Sequence, residues 1–138
     1  MIEIRDRDGD VLKTVDASDL RGADLRGADL SGADLRGAEG LPDAPSVPNI
    51  DAQIYRDVTD GFKLEMGAWH TCATTHCRAG HAIRLAGERG KEIERLYGPN
   101  VAGALIYAAS RPDKPAPNWY ATNDKALDDL KACAEADQ

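Results

Sequence analysis

Aromatic residues are scarce in this 138-residue chain, at 5% with a single Phe, so its core must rest on Leu, Ile, Val and Ala. No run of about 18 apolar residues occurs, which argues against a membrane span. The opening MIEIRDRDGD has neither a basic nor an apolar leader region, so no secretory signal is expected and a cytoplasmic location fits. Three cysteines, Cys72, Cys77 and Cys133, are an odd count that suits free thiols or a metal site better than a disulfide framework. Clustered Lys and Arg are also missing. Arg84, Arg89, Lys91 and Arg95 are offset by Glu88, Glu92 and Glu94, and the chain carries a net charge of -7. That argues against a general affinity for nucleic-acid phosphates and fits a protein that meets basic surfaces, or merely one that stays soluble.

At the N-terminus, alternation over Met1–Ile4, a turn signal at Asp8-Gly9 and strand character over Val11–Val15 predict a β-hairpin. The acidic run Asp6, Asp8, Asp10 is not a calcium loop, because Val11 and Ala17 stand where its glycine and closing Glu would be. A strict five-residue register follows: SDLRG from Ser18, ADLRG from Ala23, ADLSG from Ala28 and ADLRG from Ala33, with Ala38-Glu39-Gly40 opening a fifth unit. Five fits neither the 3.6 of a helix nor the 2 of a strand, and short repeats point to a solenoid.

These four units resemble the pentapeptide-repeat family, in which each unit forms one face of a square right-handed β-helix. The resemblance implies one coil over residues 18–39, with Leu20, Leu25, Leu30 and Leu35 inward and Asp19, Asp24, Arg26, Asp29 and Asp34 facing solvent as contact residues. Some members of that family are acidic rods that imitate B-DNA. Here residues 1–40 hold ten acidic and six basic residues, and one coil rises only about 4.8 Å, so duplex mimicry is disfavoured. A single coil also leaves unpaired strand edges. The hairpin is expected to cover one end; the rest of the chain, or a second copy in an end-to-end homodimer, would cover the other.

The expected fold class is α+β: a hairpin and a single-coil right-handed quadrilateral β-helix over 1–40, a proline-rich connector over 41–48, and a small helical domain over 49–138. Asn49 is expected to cap a helix carrying Ile50, Ile54, Tyr55 and Val58. Residues 61–69 read as a loop, Thr75–Leu85 as a helix ended by Gly87–Gly90, and Glu92–Tyr97 and VAGALIYAA (101–109) as helical runs, the latter buried. A last helix should start near Thr122 or Asn123, with Ala126, Leu127, Leu130 and Cys133 on one stripe.

The chemical signal is the crowding of Cys and His in WHTCATTHCRAGH, residues 69–81. Cys77 and His81 stand i, i+4 and would share a helical face; Cys72 with His76 or His70 could complete four zinc ligands. The spacing matches no recognised zinc pattern, and no cofactor is required by any motif. The plainer reading is a helix start stapled into the core, with Thr74 or Thr75 as cap and the cysteines buried as small hydrophobes. A third reading makes Cys77 a nucleophile with His81 or His76 as base, the centre of a small thiol- or metal-dependent enzyme, though no orienting Asp or oxyanion loop is evident. Trp119-Tyr120 offer an exposed aromatic contact or, alternatively, a plug over the core.

Trp69, Cys72, Thr74, Cys77, Ala79, Gly80 and His81 are similar to a Trp…Cys-x-Thr-x-x-Cys-x-Ala-Gly-His segment of small bacteriophage and bacterial proteins; Ala73 replaces a usual glycine. That resemblance carries no activity and suggests a mobile-element origin. The expected function is therefore a phage-type interaction protein that binds and inhibits a host protein complex, such as a nucleic-acid-handling or CRISPR defence machine.

Overall fold

The computed structural model describes residues 2–6, 10–15, 33–34, 44–66, 70–72, 75–111, 114, 116–119 and 121–136, with backbone alone for the strand residues 2–6, 12–15, 33–34, 70–72 and 75 and for Asn100. The Asp8-Gly9 turn, the repeat residues Asp19, Asp24, Arg26 and Asp29, the start of the connector, and Trp69, Thr74 and Tyr120 lie outside the described residues.

Two strands at the N-terminus, β1 (Ile2–Asp6) and β2 (Val11–Val15), pair antiparallel from Ile2 opposite Val15, with a bulge between Ile4 and Arg5. Two residues of the repeat segment, β3 (Ala33–Asp34), pair antiparallel with the other edge of β1, Arg5 opposite Asp34. The sheet order is thus β2-β1-β3.

After the prolines the chain becomes largely helical, with α1 (Ile50–Val58), α2 (Arg78–Leu85), α3 (Gly87–Tyr97), α4 (Pro99–Ser110) and α5 (Asn123–Ala136). Asn49 begins α1 from a left-handed backbone (φ 50°), a conformation Asn tolerates, with no side-chain capping bond. Helix α4 is apolar on all sides because it is enclosed: Val101, Ala102, Ala104, Ile106 and Tyr107 are at most 1% exposed. Ile50, Ile54, Ile83, Ile93 and Leu130 pack around it. Helices α2 and α4 approach closely through small residues. A Cβ at Gly103 would fall 2.8 Å from Ala79 Cβ and 3.2 Å from Trp119 Cη2, so only glycine fits. Val47, within the proline-rich segment, is buried, and its N–H donates to Ser110 Oγ at 2.8 Å.

Four expectations need correction. Residues 61–69 are not all loop: β4 (Lys63–Leu64) pairs parallel with β6 (Thr75–His76), which pairs antiparallel with β5 (His70–Cys72). Thr75 therefore belongs to a strand rather than a helix start, as its branched side chain favours, and the helix begins three residues later. Helix α2 does end at Leu85, just before Gly87, but the next helical run begins at Gly87 rather than at Glu92. Gly87, at φ 73°, turns the chain, and α3 runs through Gly90 to Tyr97. On α5 the buried stripe is Ala126, Leu130 and Ala134, whereas Leu127 is exposed and Cys133 half-buried.

Candidate functional site

Helix α2 starts where the β6 strand ends. Cys77 keeps an extended backbone (φ -72°, ψ 174°) and its Sγ accepts the Gly80 N–H at 3.3 Å. The thiol thus takes the capping role that the sequence suggested for Thr74 or Thr75. It is 2% exposed, and burial pushes its pKa up despite the backbone donors around it. A nucleophile or metal ligand needs the opposite, an accessible and lowered thiol.

One turn on, His81 is fully buried and uses both ring nitrogens. Nε2 lies 2.8 Å from the Lys63 carbonyl and Nδ1 lies 3.1 Å from Arg84 Nη2. A carbonyl only accepts and a guanidinium only donates, so the ring is the neutral tautomer protonated on Nε2. Burial, reinforced by Arg84 and His76, lowers the His81 pKa to about 4 against the pull of the Lys63 carbonyl. Arg84 also donates to Asp57 Oδ2 at 3.0 Å and stacks 4.2 Å from the Phe62 ring centre. His76, itself buried, meets the His81 ring edge-on at 4.9 Å. To hold a metal ion, His81 would have to release Arg84 or Lys63. Among the described residues no three Cys, His, Asp or Glu side chains are grouped to hold one. Cys72 lies in β5 opposite Thr75.

The structure assembles a second polar centre that the sequence reading missed. Arg78, 2% exposed, donates from Nη2 to Asp51 Oδ1 (2.8 Å), from Nε to Tyr107 Oη (3.0 Å) and from Nη1 to Asp129 Oδ2 (2.6 Å). Tyr107 in turn donates to Asp51 Oδ1 at 2.7 Å, and Arg111 Nη1 donates to Asp51 Oδ2 at 2.9 Å. Both guanidiniums lie over the Tyr107 ring, at 5.4 and 4.7 Å from its centre. Burial works to raise the Asp51 pKa, but Arg78 and Arg111 overcome it and hold the carboxyl below its ordinary value. Burial likewise opposes the charge on Arg78, and its partners more than offset it, so the guanidinium stays charged. Burial drives the Tyr107 hydroxyl upward, so it remains a neutral donor. The sequence held one hint of this centre: a tyrosine hydroxyl inside the all-apolar VAGALIYAA run requires a buried partner.

Trp119 is also withdrawn from solvent, 3% exposed and edge-on to Tyr107 at 5.6 Å, so it plugs the core and offers no surface contact. Asp34 lies in β3 opposite Arg5.

An expected result checks the state of Cys77. Iodoacetamide applied to the folded protein, with peptides read by mass spectrometry, should leave Cys77 unmodified while Cys133 reacts. Rapid labelling of Cys77 would show a reactive thiol.

Among the described residues, no helix is long and apolar enough to cross a membrane. A search of curated proteins found no match, and neither did a search of solved structures. A family model, described as pentapeptide repeats (8 copies), matches residues 16–39. At five residues per unit that span holds fewer than five units, and repeats of this kind imply a β-helix-type fold. Residues 16–39 are a pentapeptide-repeat segment, carried in one chain with the helices α1–α5.

Proposed function

We propose that this protein is a phage- or mobile-element-type interaction module that binds and inhibits a host protein machine, a nucleic-acid-handling or CRISPR defence complex, without catalysis of its own. The observation that carries the proposal is the short pentapeptide-repeat match over residues 16–39. A segment of fewer than five units forms a single coil, less than the three or so stacked repeats that stabilise a solenoid alone. Its two strand edges require partners. The pairing of β3 with β1 supports the N-terminal strands as cover for one of them. The other edge, together with the repeat carboxylates Asp19, Asp24, Asp29 and Asp34, is the docking surface for the host protein. The net charge of -7 favours a basic partner surface.

The buried, raised Cys77 and the fully engaged His81 support a structural role for the Cys/His block and weaken the thiol-enzyme alternative. Affinity capture from bacterial lysate tests the proposal. Wild type and Cys77→Ser, which keeps a capping oxygen, should retain the same host protein at fixed stoichiometry. Failure of both to retain any partner would overturn the reading.

A further inference from the structure

The buried ion-pair centre opens on one side into a cleft of about 350 Å³. Arg78 and Arg111 form its floor, Lys114 and Lys125 stand at its mouth, and Asp129 and Cys133 come from the same flank of α5. Formal charge within this group does not cancel. Asp51, behind the floor, and Asp129 together balance the two arginines. The ammoniums of Lys114 and Lys125 remain in excess, both are exposed, and neither forms an ion pair with a described residue. A local excess of positive charge in a chain of net charge -7 departs from the general trend of the molecule.

Two further features point the same way. Lys125 lies in the first turn of α5, the end of a helix where the peptide dipoles disfavour a cation. Asp124 in the same turn meets the dipole in part, and an anion in the cleft would add to it. The floor is also rigid: Arg78 is fixed at all three nitrogens by Tyr107, Asp51 and Asp129. A ligand in the cleft finds a floor already ordered, with Arg111 rather than the 2% exposed Arg78 as the guanidinium it can reach. The volume is at the small end of ligand sites, suited to a compact ligand and too small for a polymer segment of any length.

We infer that this cleft binds a small, multiply charged oxyanion of the phosphate class. Two point-like ammoniums at the mouth and a planar guanidinium in the floor suit the several oxygens of a phosphate or pyrophosphate better than one carboxylate. This site is independent of the repeat face and of any host partner.

Calorimetric titration of the full chain with inorganic phosphate, pyrophosphate and adenosine monophosphate tests it. One-to-one binding is expected for at least one of the three. Pyrophosphate ahead of the nucleotide would indicate a free anion; the reverse order would indicate a nucleotide phosphate. The Lys114→Gln/Lys125→Gln variant, altered only at exposed positions, should melt as wild type without ligand and bind at least about tenfold more weakly. Lys114→Arg/Lys125→Arg should restore binding. The inference is overturned if none of the three anions binds at millimolar concentration, or if the Gln variant binds as tightly as wild type.

Discussion

Arg78→Met is expected to lower folding stability by about 3–5 kcal/mol, read as a shifted midpoint in urea denaturation. The reason is less the loss of an attraction than what remains behind. Asp51 is 1% exposed, and without Arg78 its charge keeps only Arg111 and the Tyr107 hydroxyl as compensation. Against a total stability of roughly 5–15 kcal/mol for a domain of this kind, the loss is a large fraction. The exposed pair Arg89–Glu92 provides the control. It is as short, at 2.7 Å, but its side chains are 41% and 46% exposed, and Glu92→Gln should change stability by less than about 1 kcal/mol. Adding Asp51→Leu to Arg78→Met should recover part of the loss, since the orphaned carboxylate goes with it. A small effect of Arg78→Met, equal to that of Glu92→Gln, would show that the buried centre does not hold the helices together.

Acid should unfold the protein through His81. In the unfolded chain its imidazole titrates near pH 6.5, and in the folded protein it titrates at about 4. The stability attached to this group is therefore fully present above pH 6.5. It is lost as pH falls from 6.5 towards 4, where the unfolded chain takes up a proton that the folded one refuses. The difference amounts to roughly 3 kcal/mol over that window. The physical cause is first the burial of the ring, which disfavours its charged form; in addition Nδ1, where the second proton would sit, faces a guanidinium donor, with His76 packed against the ring. His81→Gln can still donate to the Lys63 carbonyl and accept from Arg84, but it cannot titrate. Urea midpoints measured between pH 7 and 4 should fall steeply for wild type and much less for the variant. Identical slopes for both proteins would remove His81 as the source.

How far these features were legible depended on the range of the interactions behind them. The five-residue register is local, and four units in a row identified the repeat segment. The buried α4 and the start of α5 at Asn123 follow from local apolar pattern and capping chemistry, and both were readable. The β4–β6 pairing joins Lys63 to Thr75 across a stretch of no clear periodicity, and a two-residue strand leaves no alternation to detect. Gly87 and Gly90 carry the ordinary signature of a helix end, yet Gly87 only redirects the chain between two helices.

The Cys/His block was visible as a composition, but its roles were not. Cys77 serves as a cap and His81 as a buried bridge because of Lys63 and Arg84, and only the fold brings Lys63 to the histidine. The Arg78 centre was the least legible. It draws Asp51 from α1, Tyr107 and Arg111 from the end of α4, and Asp129 from α5, each unremarkable where it stands. A charge buried by tertiary packing looks, in sequence, like a charge on a solvated face.

The most direct test of the binding account uses the host protein recovered by affinity capture, purified and titrated against immobilised variants. Asp19, Asp24, Asp29 and Asp34 replaced together by Asn should weaken binding by at least about tenfold, with melting unchanged. Cys77→Ser should bind as wild type. Undiminished binding by the repeat variant, with loss in Cys77→Ser, would contradict the account and place the function in the Cys/His block.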